Sequence, residues 1–259
     1  MGVLNVTPDS FSDGGQFAEL DSALAHAQRM YREGATLIDV GGESTRPGSR
    51  PVDVERELER VIPVVEYLRD ARMGLISVDT SKAEVMRAAI DSGAHMINDV
   101  NALRDEQALA TCADSDVAVC LMHMQGEPRT MQEDPYYDDV LNDVITFLRE
   151  RIDACVNAGI SRDRIVIDPG FGFGKTLEHN FSLLRGIEQI CQVGQPVLAG
   201  LSRKSMLGAL LDRSVGERLA GSLALATLAA SRGVSIIRAH DVAETVDAMQ
   251  IVGAVTRGH

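Results

Sequence analysis

Polar residues with chemistry to offer recur at one kind of place, directly after short apolar runs. Asn5, Asp39, Asp79, Asn98–Asp99, His123, Asp168, Ser202 and Arg238–His240 each close such a run. A carboxylate ending the apolar stretch IVI at Asp168 is costly unless something donates to it. With Arg46 and Lys204 from the loops that follow such runs, the candidates comprise acceptors (Asp79, Asp168), amides (Asn5, Asn98) and cations (Arg46, Lys204, Arg238 and His240). Carboxylates and amides suit a heterocycle with an edge of N–H donors, and clustered cations in an acidic chain suit an anionic ligand group. No Cys/His cluster has zinc spacing, and no Ser–His–Asp set stands out.

Three loops carry further candidates. Asn5 to Gly15 (NVTPDSFSDGG) has turn formers and no helical period, with Phe11 in its polar middle. A ring there gains nothing in water, so a lid over a ligand is expected. Gly41 to Pro51 (GGESTRPGSRP) offers close backbone approach at Gly41 and Gly42, and donors at Thr45 and Arg46, beside the stiffening Pro47. Ser202 to Gly208 (SRKSMLG) lies where a strand hands over to a helix, with Lys204 and Ser205 as donors. Asp168 to Thr176 (DPGFGFGKT) invites a phosphate-loop reading, but the required glycine position is occupied by Pro169.

The elements that must position these residues follow a repeat: a helix-period segment, a glycine, then a short β-branched run. GATLIDV from Gly34, GAHMINDV from Gly93 and GVSIIRAHD from Gly233 are three copies, and AGISRDRIVIDPG from Ala158 is a fourth. Glycine is the expected helix C-cap, and the runs are too short for helices. Strands are expected near Val3–Val6, Leu37–Val40, Leu75–Val78, Met96–Asn98, Val117–Met122, Ile165–Ile167, Val197–Gly200 and Ser235–Arg238. Leu20 to Tyr31, Pro135 to Val156 and Val242 to Val252 read as helices. Eight βα units count to an α/β protein, a single-domain (β/α)8 TIM barrel over residues 1–259, with an open doubly wound sheet as the alternative. In a closed barrel all the polar strand ends meet on one rim, where active sites of this fold sit.

Composition narrows the partners. The 259 residues carry a net charge of −13, only 4% are aromatic and none is Trp, which argues against nucleic acid and anionic membranes. The four cysteines form no CxxC pair, and three of them, in apolar or helical-looking stretches, read as reduced core thiols. No signal segment opens the chain and no apolar run reaches membrane-spanning length, so a cytoplasmic protein is expected.

The segments MGVLNVTPDSFSDGG, IDVGGESTRPG, ISVDTS, INDV, CLMHMQGEPRTMQ, DPGFGFGKT, SRKSMLG and IIRAHDV, in this order from residue 1 to about 242, resemble the bacterial dihydropteroate synthase family. The resemblance implies condensation of 6-hydroxymethyl-7,8-dihydropterin pyrophosphate with p-aminobenzoate to 7,8-dihydropteroate and pyrophosphate. It implies that Asp79, Asn98, Asp168, Lys204 and Arg238 hold the pterin, and that Asn5, Thr45, Arg46, Arg238 and His240 bind pyrophosphate, with Mg²⁺ at Asn5. Phe11, Pro47 and Ser205 would form the p-aminobenzoate site, which sulfonamides mimic. Lys204 and Arg238 would act in catalysis, with Asp13 as the proton acceptor. A homodimer through helices near the C-terminal end is likewise implied. Family members usually carry a short segment before the first strand, whereas Met1 falls almost at that strand, so a trimmed start or a less covered barrel floor is expected. Two rivals remain: a pterin-binding homologue without turnover, and a methyltetrahydrofolate-type methyltransferase.

Overall fold

Strict alternation along short strands decides this architecture, because successive side chains of a strand point to opposite faces. In a computed structural model describing residues 1–6, 16–44, 51–126 and 130–257, the eight strands are β1 (Gly2–Asn5), β2 (Leu37–Gly41), β3 (Leu75–Asp79), β4 (Met96–Asp99), β5 (Ala118–Met122), β6 (Ile165–Asp168), β7 (Leu198–Gly200) and β8 (Ile236–Arg238). Each begins within two residues of its expected start. Residues such as Ile38, Val40, Ile76, Val78, Ile97, Val119, Leu121, Ile165 and Ile167 lie in the main core, packed against helices. Met96, Cys120, Val166 and Leu198 form a second, smaller cluster, the packed interior of the barrel.

All the strand pairs are parallel, and β1 to β6 lie in chain order. Two seams close the ring. Ile167 bridges Val197 and its N–H reaches the Pro196 carbonyl at 3.0 Å. Gly2 bridges Ala239, with Val3 N–H to the Ala239 carbonyl at 3.1 Å and Ala239 N–H to the Met1 carbonyl at 2.9 Å. The closed (β/α)8 barrel is therefore observed, and the open sheet is excluded.

The helices are α1 (Gln16–Arg32), α2 (Val54–Asp70), α3 (Ala83–Asp91), α4 (Glu106–Ala113), α5 (Val140–Asn157), α6 (Leu177–Arg185), α7 (Ile187–Cys191), α8 (Ser205–Leu211), α9 (Leu219–Ser231) and α10 (Val242–Arg257). Helix α5 begins five residues later than the periodicity predicts, because Asp139 caps it by accepting from the N–H groups of Leu141 and Asn142. Two βα units carry an additional helix, α7 after α6 and α9 after α8. The repeat glycines Gly34, Gly93, Gly159 and Gly233 all have φ between 99° and 104°, the left-handed conformation that ends a helix. Cys112, Cys120 and Cys155 are buried free thiols and Cys191 is half-buried. Among the described residues no helix is long and apolar enough to cross a membrane. At the strand N-terminal end, a cavity of about 700 Å³ lies between α10 and the barrel, lined by Leu37, Leu75, Ile236, Val246 and Met249 among others.

Candidate active site

The same alternation that fills the barrel interior aims the polar strand ends inward. Asp39 pairs in register with Ser77, Asp79 with Gly41 and Asn98, Met122 with Asp168, and Gly200 with Arg238. These residues share the inward parity of Met96, Cys120 and Val166; Asp39 and Ser77 lie mid-strand, level with Met96, and the others stand toward the C-terminal ends of their strands. That rim is where enzymes of this fold place their chemistry.

Asp39 is the hub of one side, and it is completely buried. Its Oδ1 accepts from Ser77 Oγ at 2.6 Å, and its Oδ2 accepts from Asn98 Nδ2 at 3.0 Å and from Arg238 Nε at 2.7 Å. Arg238 also reaches Asp79 Oδ2 through Nη2 at 3.2 Å. One guanidinium thus spans two carboxylates, with Nε and Nη2 of its rigid planar fork each aimed at a different one. Burial raises the Asp79 carboxyl, to about 7, with the Asp39 charge adding to the rise and Arg238 opposing it. Burial opposes the charge on Arg238, but the two carboxylates outweigh it and hold the group above its ordinary range.

The opposite side is built from backbone. Asp168 is buried, and its Oδ1 accepts from the Gly170 N–H at 2.7 Å. Burial raises its carboxyl, while that N–H, Lys204 and Lys175 pull it back. Gly170 has φ +69°, and a Cβ there would lie 1.9 Å from the His123 carbonyl oxygen, so only glycine fits between the two strand ends. Lys204 Nζ stands 4.3 Å from the centre of the Phe173 ring. Ser205 opens α8 and is exposed. His240 is tied to Ser202, with ring Nδ1 and backbone N–H at 3.0 and 3.2 Å from Oγ. The loop carrying Lys204 is fastened by Arg218, which donates to the Arg203 and Lys204 carbonyls, and by a two-point pair of Arg203 with Asp241.

Asp79, Asn98 and Arg238 are therefore brought together through Asp39, and Asp168 and Lys204 face the same interior. Asn5 ends β1 opposite Gly41. Phe11, Asp13, Thr45, Arg46 and Pro47 lie outside the described residues.

With this geometry in view, the comparisons are specific. The sequence profile of pterin binding enzymes matches residues 1–240. The chain belongs to this family. The dihydropteroate synthase of Haemophilus influenzae is 53% identical over 251 residues, 97% of this chain and 91% of that one. A Yersinia pestis dihydropteroate synthase structure with a sulfonamide drug superposes with a TM-score of 0.95 at 52% identity, covering all of this chain and 94% of the other. A Xanthomonas albilineans dihydropteroate synthase structure with 4-aminobenzoic acid gives 0.93 at 54% identity, covering 98% and 92%. Within the pterin binding enzymes, the chain is of the dihydropteroate synthase kind.

Three residues of this pterin binding enzyme were given no role by the sequence reading: Asp39, named there only as a strand-end carboxylate, Lys175 and Phe173. Asp39 carried a usable signal, a carboxylate inside the apolar strand LIDV, the argument already applied to Asp168. Lys175 and Phe173 gave none, since their places depend on how the glycine turn folds. For a metal, the described residues contain no group of three or more His, Cys, Asp or Glu able to hold an ion. Asn5 supplies one amide oxygen, a donor set that fits only an ion arriving with substrate phosphate and water, which is how Mg²⁺ is commonly bound.

Proposed function

We propose that residues 1–259 act as one cytoplasmic unit that condenses 6-hydroxymethyl-7,8-dihydropterin pyrophosphate with p-aminobenzoate, giving 7,8-dihydropteroate and pyrophosphate. The observation that carries this reading is the inward-facing set of Asp79, Asn98, Asp168 and Arg238 at one rim of a pterin binding barrel. Asp168 accepts from a ring N–H and the exocyclic amine of the pterin, a two-point match to one heterocycle edge. Such donors also favour the ionised form of a carboxyl that burial raises. Lys204 donates to the pterin carbonyl and ring nitrogen, Asn98 and Asp79 hold the opposite edge, and Arg238 flanks the ring.

The C–O bond to pyrophosphate breaks with its electron pair leaving on oxygen, and the arylamine nitrogen forms the C–N bond to the pterin methylene. Asn5, Thr45, Arg46, Arg238 and His240 stabilise the leaving anion, and losing one such donor typically costs roughly 10²–10³ in rate. Asn5 would hold Mg²⁺, which would supply positive charge to the leaving group when bound. Phe11, Pro47 and Ser205 receive p-aminobenzoate, so sulfonamides compete with it. Asp13 takes the amine proton.

A homodimer accompanies this reading, supported by the exposed apolar residues Leu210, Leu211, Val215, Leu228, Ile251 and Val255 on α8, α9, α10 and the turn between α8 and α9. Sedimentation at micromolar concentration checks it, and a single monomeric species rejects it.

The functional test is pyrophosphate release with Mg²⁺ and both substrates, omitting each in turn, with and without sulfonamide. Release tied to dihydropteroate formation and suppressed by the drug is expected. Pterin binding without release would establish a binding-only homologue instead.

A further inference from the structure

Lys175 follows the glycines of the β6 turn, and its side chain is enclosed, with 3% of its surface exposed. Its Nζ donates to the carbonyls of Phe173 at 2.9 Å and Gly170 at 3.0 Å, reaches that of His123 at 3.4 Å, and stands 2.9 Å from His123 Nδ1. Burial and then the Lys175 charge push His123 down to about 3. The imidazole is therefore neutral, its Nδ1 accepts from Lys175, and its proton sits on Nε2. Lys175 itself is drawn down to about 7 by burial, against the pull of Asp168. An ammonium surrounded in this way has its protons committed to the protein. It does not face a phosphate, whatever the GKT spelling invites.

What the ammonium gathers is the turn that completes the site. Gly170, whose carbonyl it holds, turns its N–H to Asp168 Oδ1 at 2.7 Å. Phe173, whose carbonyl it also holds, presents its ring to Lys204 at 4.3 Å. His123 ties both to the end of β5, and its N–H pairs with the Asp168 carbonyl at 2.9 Å. Asn180 clamps the other flank, accepting from the Gly172 N–H at 2.7 Å and donating to the Thr176 carbonyl at 2.7 Å.

We propose that Lys175 is a positioning residue for pterin recognition: by drawing the Gly170 and Phe173 carbonyls onto His123, it sets the Gly170 N–H against Asp168 and the Phe173 ring against Lys204. This rests on the pterin reading above and goes beyond it by assigning a role to a buried cation that touches no substrate.

The test is steady-state kinetics and calorimetric pterin binding for Lys175→Met. Loss of a buried charged donor makes about a tenfold or larger rise in the KM and Kd for the pterin substrate the expected result, with kcat within about threefold. A pterin KM within twofold of the parent, or kcat falling in step with the rise in KM, overturns the proposal. Should that variant fail to fold, His123→Leu removes one acceptor and leaves the carbonyls in place. A rise of about threefold in the pterin KM at unchanged kcat then supports the proposal, and no change overturns it. Absence of pterin binding or turnover in the parent protein would instead reject the functional reading on which the proposal rests.

Discussion

The two sides of the rim hold equivalent-looking carboxylates by different means. Around Asp39 and Asp79, side chains from β2, β3, β4 and β8 hold one another by charge across the barrel. Around Asp168, backbone groups of a single turn do the holding, and the charge of Lys175 beneath that turn is spent on carbonyls. The first arrangement is vulnerable to loss of a charge. The second is vulnerable to gain of a methyl group. Equal burial therefore does not mean equal sensitivity.

The sharpest contrast comes from Arg238→Met, which leaves the fully buried Asp39 without its cation. A loss of roughly 3–5 kcal/mol in urea unfolding is expected, together with loss of pterin binding, and Asp39→Asn on the same background should recover part of the stability. On the other side, Gly170→Ala forces a Cβ against the His123 carbonyl at positive φ, and about 3 kcal/mol is expected. Gly159→Ala, also at positive φ but with nothing within 4 Å, should cost only about 1 kcal/mol. Equal losses at the two glycines would remove the claim that close backbone approach fixes the turn.

The pH response should differ in sign between the two sides. Asp79 is raised to about 7 in the fold, whereas an unfolded aspartate titrates near ~3.9. The folded state binds the extra proton between these values, so this group makes stability fall as pH rises from about 4 to 7. Lys175 is lowered to about 7 from an unfolded value near ~10.4. There the unfolded state binds the extra proton, and stability rises between about pH 7 and 10. Urea midpoints across pH should show the first slope reduced in Asp79→Asn, with the raised carboxyls of Asp99 and Asp168 supplying what is left, and the second reduced in Lys175→Met. A slope unchanged from the parent in either variant would contradict its assignment. The smallest effect belongs to the exposed Arg162–Asp153 pair at 3.0 Å, where Asp153→Ala should change stability by no more than about 0.5 kcal/mol.

Much of this was legible beforehand, for local reasons. Glycines that cap helices and β-branched runs too short to be helices mark the βα repeat wherever it occurs. Period-two alternation assigns Asp79, Asn98, Asp168 and Arg238 to one face once the strands are placed. Helix α5 shows the limit: an apolar stripe extends past a helix start, and the side chain of Asp139 decides where the first turn begins. The p-aminobenzoate candidates Phe11 and Pro47 belong to loops outside the described residues, so their part rests on resemblance and on the assays above.

By itself, the sequence determined the element order, the class of fold and which residues stand at strand ends facing inward, because these follow from spacing along a few neighbouring residues. Only the tertiary structure decided who meets whom across the barrel. Arg238 finds Asp39 from 199 positions away because the β8–β1 seam closes the ring. Lys175 turns inward because three left-handed glycines, at 170, 172 and 174, bend the chain until its carbonyls surround an ammonium. Periodicity encodes a face, whereas a partner on that face is chosen by closure and by backbone curvature, which no local pattern carries.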